Sequence, residues 1–431
     1  MNYNNRAAID NLQNIFNNQQ YRTITKVRLK WVKNRSLDNI IDIHTDLKAA
    51  CLLKDAIINR PIATQKFLTA KQLSDTQKLL GITIPTLRFI RRYPTLFHEF
   101  PHPKYPSLPC FSLTNIALNL QRIESRIYEK NEAEIVERLC RLLMMCKDHQ
   151  LPVKSVYPLR WDLGFPFDFD KNLVAKYPNL FEIVKGNDGS CSSLKLVKWV
   201  NEFSVSKVQE RGESKDLSEN LYRKFRSGES GLGFPLSFPR GYGAQKKVKS
   251  WMDEFQKLPY VSPYEDSSGL DPESELMEKR VVGVLHEFLS LTVYKKTKRN
   301  YLRNLTEEFN MPFRFTRIFT RYPGIFYLSL KCKTTSVALK EGYKRGKLVN
   351  PCEIAKYRAK FYHVMRTGLI YRKKGLEMLP ELDKLYDDND YDNVLKNYEK
   401  EPSDGEEVES SGEWVEHEDG DSEFDDVSDQ D

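Results

Sequence analysis

The chain writes Tyr-Pro-x-(Leu/Ile)-Phe three times, at Tyr93 to Phe97, Tyr177 to Phe181 and Tyr322 to Phe326, and each copy follows a Lys or Arg. Proline pushes the residue before it out of the α region and has no N–H to donate, so each Tyr-Pro forces a helix to end. The Leu/Ile and Phe that follow begin an apolar run. Phe97, Phe181 and Phe326 read as core anchors of a strand. Tyr93, Tyr177 and Tyr322 read as staples of helix to strand, with stacking on a base as the alternative.

What precedes each stop is also alike. Around Ala70 to Leu80 a helical stretch ends at Gly81, and Pro85 opens a short helix with Leu87, Phe89 and Ile90. Trp161 to Leu163 lead into Gly164 and Pro166, with Asp168 or Asp170 as the expected cap of a helix through Val174 to Lys176. Leu302 to Phe309 lead into Asn310, expected left-handed, then Pro312 and a helix with Phe313, Phe315, Ile318 and Phe319. Gly after one helix and Pro at the start of the next punctuate a tight corner. After each stop come two short apolar or β-branched runs around a turn, a hairpin pattern, with Asn187-Asp188-Gly189 as one turn signal. The expected fold class is therefore mainly α with short β-hairpins (α+β): three degenerate helix-turn-helix-plus-hairpin, winged-helix-like units. The tyrosines are 84 and then 145 residues apart, so the triplication is no regular solenoid.

The units are expected at about 40–125, 135–205 and 275–375, inside a domain spanning 26–380. A long amphipathic helix is expected from about Asn115 to Lys147. A polar stretch near Gln209 to Gly233, where the domain joint is expected, and a Pro/Ser/Gly/Asp stretch near Leu258 to Glu273 mark 206–274 as an irregular insert. Residues 1–22 are Asn- and Gln-rich and acid-poor, the pattern of an organellar presequence rather than of a secretory signal, which carries an apolar run. Residues 381–431 read as an acidic, disordered tail. No apolar run approaches a bilayer span. The seven cysteines form no Cys-x-x-Cys pair and read as reduced, mostly core thiols.

Charge is unevenly placed. From Glu401 to Asp431 there are 15 acidic residues and no Lys or Arg, which leaves 67 basic against 45 acidic residues in the first 400, a body of +22. Such a body suits a polyanion, because each phosphate contact releases condensed counterions. In the third unit Arg314, Arg317 and Arg321 fall at i, i+3 and i+7, on one face of the expected helix, while Phe315, Ile318 and Phe319 turn to the core. Arg88, Arg91 and Arg92 hold the matching place in the first unit, and Lys171 and Lys176 in the second. Aromatics interleave with cations in KVRLKWVKNR from Lys26, in YKKTKRNYLR (Lys295, Lys296, Lys298, Arg299), in GYKRGK (Lys344, Arg345) and in IYRKKG (Arg372, Lys373). Aromatic faces accept unstacked bases while cations follow the backbone, the chemistry of single-stranded or irregular RNA. These sixteen positions, Arg88 to Lys373, are the expected RNA-binding residues.

The sequence has no Walker loop and no Gly-x-Gly-x-x-Gly after a strand. No catalytic residue, metal site or cofactor is assigned.

The blocks KVRLKWVKNRSLDNII, LLGITIPTLRFIRRYPTLF, LRWDLGFP with AKYPNLFEIV, and MPFRFTRIFTRYPGIFY resemble the plant organelle RNA recognition (PORR) domain family, which includes the "what's this factor" splicing proteins. The resemblance runs from about 26 to 380 and extends to the acidic tail. It implies non-catalytic binding of intron RNA in group II intron splicing, alongside other splicing factors, in the mitochondrion or, as the alternative, the chloroplast. A protein-interaction scaffold and a winged-helix-like DNA-binding module are the competing readings.

Overall fold

The first repeat begins with α1 (Arg35–Ile58), capped by the Asn34 side chain, which accepts from the Leu37 N–H at 3.1 Å. It continues through β1 (Leu68–Thr69), short helices at Ala70–Asp75, Gln77–Leu80 and Thr86–Ile90, and the hairpin β2 (Phe97–Pro101) and β3 (Pro109–Leu113). After α2 (Asn115–Lys130) the second repeat runs α3 (Glu132–Met144), β4 (Gln150–Pro152), helical turns over 153–163, a π-helical segment Phe169–Leu173, Val174–Lys176, then β5 (Phe181–Val184) and β6 (Ser193–Leu196). Next come α4 (Lys207–Ser214) and α5 (Lys246–Lys257). The third repeat runs α6 (Glu275–Leu291), β7 (Lys296–Lys298), Arg299–Arg303, a 3₁₀ turn Phe315–Arg317 continuing into Ile318–Arg321, then β8 (Phe326–Ser329) and β9 (Ser336–Leu339). A small hairpin, β10 (Tyr343–Lys344) and β11 (Lys347–Leu348), precedes α7 (Glu353–Lys374). This is a computed structural model, and it describes residues 26–27, 29, 31–60, 66–82, 84–185, 192–214, 232–239, 245–331 and 335–374. The expected presequence, the acidic tail and the Asn187-Asp188-Gly189 turn lie outside them.

Each repeat forms a three-stranded antiparallel sheet in one order, β1-β3-β2, β4-β6-β5 and β7-β9-β8. The strand before the helical corner thus pairs with the last strand of the hairpin, as Leu68 does with Phe111, Leu151 with Leu194 and Thr297 with Val337. The corners turn as their residues dictate: Gly81 (φ 68°), Gly164 (φ 72°) and Asn310 (φ 49°) are all left-handed. At Gly164 a Cβ would lie 2.8 Å from Val293, so space as well as φ requires glycine there.

Three expectations change. The 115–147 stretch is two helices, because Asn131 (φ −103°, ψ 23°) leaves the helical region between α2 and α3. Asp168 and Asp170 do not cap a helix: Asp168 accepts from the Asn172 side chain and Asp170 from the Tyr157 hydroxyl at 2.9 Å. Among its described residues the 206–274 insert carries the helices α4 and α5, so it is not wholly irregular, and both pack on the neighbouring units. From α5, Trp251 and Phe255 pack on Tyr322 with ring centroids 5.5 and 4.6 Å away, within one apolar core shared by the second and third repeats. From α4, Glu210 pairs with Arg141 at 3.0 Å, and the Lys207 N–H donates to Glu287 of α6 at 2.7 Å.

The repeats meet at Asp162. Its buried carboxylate accepts from Lys48 of α1 at 3.0 Å and from the Thr297 hydroxyl of β7 at 2.9 Å, and its carbonyl accepts from the Val293 N–H at 2.8 Å. One side chain of the second unit therefore ties the first to the third.

Candidate nucleic-acid interface

The repeated Tyr-Pro acts through both ends of the tyrosine. Its carbonyl accepts two N–H groups from the residues that open the next strand: Leu96 and Phe97 onto Tyr93, Leu180 and Phe181 onto Tyr177, Ile325 and Phe326 onto Tyr322, all at 3.0 to 3.1 Å. Its hydroxyl donates back to a carboxylate on the unit's first helix. The pairs are Tyr93 to Asp46 (3.2 Å), Tyr177 to Glu132 (3.0 Å) and Tyr322 to Glu278 (2.7 Å). Phe97, Phe181 and Phe326 are buried behind them. The staple reading of the tyrosines holds, and it explains the basic residue before them as well. Lys176 pairs with Glu132 at 2.6 Å, Arg321 pairs with Glu278 at 2.7 Å, and Arg92 acts on Asp46 through space.

These carboxylates feel opposing forces. Burial pushes Glu278 up, but hydrogen bonds from Lys26, Arg321 and Tyr322 outweigh it and hold the carboxyl below its ordinary range. Glu132 is also lowered, first by its hydrogen bond from Lys176. Asp46 is raised instead, because burial outweighs the Tyr93 hydrogen bond and the charge of Arg92.

The expected RNA-binding cations therefore divide. Arg88, Lys171, Arg314 and Arg317 are exposed. Arg91 is exposed too, but Glu99 holds it with two hydrogen bonds of 2.9 and 2.6 Å. Lys176 and Arg321 serve the tyrosine clamp, and Arg92 is half-buried above it. The YKKTKRNYLR cluster is a seam. Lys295 points inward to donate to the Ser290 carbonyl, and burial brings its amine down to about 8. Lys296, Lys298 and Arg299 are half-buried, and Lys298 reaches across the Gly81 corner of the first unit. Tyr294 is buried against His44 and Trp161, and Tyr301 lies under Lys48 at 5.1 Å. Trp31 donates to the Leu328 carbonyl at 2.8 Å and stacks on Tyr327. Trp31, Tyr294 and Tyr301, among the interleaved aromatics expected to receive bases, thus bind one segment of the chain to another. Lys344 and Arg345 are exposed at the tip of the β10–β11 hairpin, where Arg345 and Gly346 both have positive φ (50° and 77°). Arg372 and Lys373 fall in α7, outside the described side chains.

The arginines of the third unit converge. Arg314 precedes the 3₁₀ turn, Arg317 ends it and Arg321 ends the helix, so they do not ride one α-helix; yet all three line a single cleft of about 430 Å³ with Lys26, Glu273, Glu278 and Phe313. Phe313, expected on the helix with the core residues Phe315, Ile318 and Phe319, is instead 93% exposed. The signal for this lies in the spacing: directly after Pro312, Phe313 precedes the helix and lies off its apolar stripe.

The family model of the plant organelle RNA recognition domain matches residues 32–369. "Protein WHAT'S THIS FACTOR 9, mitochondrial" of Arabidopsis thaliana is 34% identical over 82% of this chain and 89% of its own. "Protein WHAT'S THIS FACTOR 1 homolog, chloroplastic" of Oryza sativa subsp. japonica is 30% identical over 77% of this chain and 64% of its own. "Protein ROOT PRIMORDIUM DEFECTIVE 1" of Arabidopsis thaliana is 27% identical over 83% of this chain and 88% of its own. No solved structure matches. The matched span takes in all three Tyr-Pro clamps and the arginine cleft, and by that match the chain belongs to the plant organelle RNA recognition domain family.

Proposed function

We propose that the chain is a non-catalytic RNA-binding protein of plant mitochondria that assists group II intron splicing. In this reading the basic surfaces hold intron RNA at several points and favour its active fold, the intron's own active site performs the chemistry, and other splicing factors share the complex. The units act as winged-helix-like modules, each a helical corner backed by a hairpin. The observation that carries the reading is the convergence of Arg314, Arg317, Arg321 and Lys26 on one cleft. Arg314 and Arg317 are exposed on that cleft, while Lys26 and Arg321, paired with Glu278, add to its positive field, which draws a phosphate backbone. The exposed Arg88, Lys171, Lys344 and Arg345 add further contacts. A relative whose name says mitochondrial supports that compartment, and one whose name says chloroplastic makes the plastid the alternative.

Filter binding of the full chain to group II intron RNA, across a salt series and with duplex DNA as competitor, tests this. Binding should weaken linearly in log salt and resist the DNA. Equal competition by duplex DNA would favour a DNA-binding module, and no RNA binding at any salt a protein scaffold.

A further inference from the structure

We propose that the cleft of the third unit takes one unstacked nucleotide of single-stranded RNA, its base on the Phe313 ring and its phosphate on Arg314 and Arg317. This rests on the RNA-binding reading above.

The second unit shows what the ring is for. There Pro166-Phe167 stands where the third unit has Pro312-Phe313, ahead of the same helical segment and clamp. Phe167 has the Arg160 guanidinium 4.8 Å over its ring, and Arg160 is fixed by Asp55 at 3.0 Å. One planar cation of the chain thus covers one face of the second unit's phenylalanine. Phe313 is 93% exposed against 42% for Phe167, so among the described residues its ring has no comparable cover. A phenyl group held in water beside cations offers a flat face to another planar group, and an unpaired base is the planar group that also brings a phosphate.

The lining fits both halves of a nucleotide. Lys26 and Arg321 are engaged by Glu278, while Arg314 and Arg317 line the cleft with exposed side chains. Glu273 lines the cleft too, and a carboxylate there repels a phosphate but accepts from the exocyclic amines of bases. The phosphate therefore belongs on the Arg314 and Arg317 side. The cleft, at about 430 Å³, falls in the range of small-ligand pockets. A paired base has both faces stacked, so the site selects single strands.

Fluorescence anisotropy of the full chain with one labelled RNA, single-stranded and then annealed to its complement, tests this. Stacking is worth roughly 1–3 kcal/mol per base, so Phe313→Ala should weaken single-strand binding by about 5- to 150-fold without changing the salt slope. Phe313→Trp should keep the affinity, and RNA should quench its emission more than the wild type's. Because Phe313 is exposed, the Phe313→Ala thermal midpoint should match the wild type's. Single-strand affinity of Phe313→Ala within twofold of a wild type that does bind would overturn the nucleotide site and leave the RNA reading standing. Equal losses on single strand and duplex would overturn it also, and a wild type that binds neither RNA removes both.

Discussion

In the second unit the buried groups look inward: Asp162 binds the first and third units together, and Arg160 lies over Phe167. In the third unit the corresponding stretch looks outward, with Phe313, Arg314 and Arg317 in solvent around a cleft. The frames are the same, down to the Tyr-Pro clamp and the left-handed corner. Ten positions separate Pro312 from Tyr322 and eleven separate Pro166 from Tyr177; the π-helical segment Phe169–Leu173 takes up the extra residue, so the clamp keeps its place. A repeated frame therefore fixes the backbone and leaves the dressing of each copy free. One copy became the joint of the molecule while another keeps the matching stretch exposed.

The contrast can be broken by substitution. The largest effect should come from Asp162→Ala, which leaves Lys48 and Thr297 without their buried partner; removing one side of such a pair costs about 3–5 kcal/mol. Urea denaturation should show that loss, and a loss under 1 kcal/mol would deny the second unit its role as joint. Next comes Arg314→Ala, which should leave stability within about 0.5 kcal/mol and flatten the log–log salt dependence of RNA binding by roughly 0.7 if one phosphate is no longer neutralised. Lys171→Ala in the second unit should change affinity less than twofold. Equal losses from the two units would erase the distinction.

The smallest effect separates the third clamp from the first. Glu278 has a lowered pKa in the fold, so its stabilising contribution is present above the unfolded value of about 4.3 and is lost as pH falls through the folded one. Glu278→Gln should cost about 1 kcal/mol at neutral pH and progressively less as the pH falls below the unfolded value. Asp46 is raised, so its contribution is present at low pH and is lost as pH rises through the folded value. Asp46→Asn should therefore not lower the thermal midpoint at pH 7. Thermal midpoints taken at pH 3, 5 and 7 would separate the two clamps; identical pH profiles would count against both signs.

Much of the frame was legible because its signals are local. Tyr-Pro stops, left-handed Gly81, Gly164 and Asn310, and the strand-opening Phe97, Phe181 and Phe326 each depend on residues within a few positions. The strands Leu68–Thr69, Gln150–Pro152 and Lys296–Lys298 escaped, since two or three residues carry no period. The candidate site was legible in part. Arg314, Arg317 and Arg321 do meet in space, but the carboxylate that engages Arg321 lies 43 residues upstream, where no spacing rule reaches. Lys295 was misplaced for the same reason: a run of lysines looks alike whether it faces water or a seam.

The last helix closes on the first unit. In α7, Tyr357 and Phe361 are buried, the Val364 carbonyl accepts from Thr95 across 269 positions of sequence, Glu353 pairs with Lys130 of α2, and Arg358 lies 4.0 Å from the Trp161 ring centre. A polypeptide emerging residue by residue thus lacks these contacts of its earliest module until α7 has been made. Truncations that spare the first two repeats will not yield independent fragments, and the nascent protein must be kept from aggregating until α7 arrives.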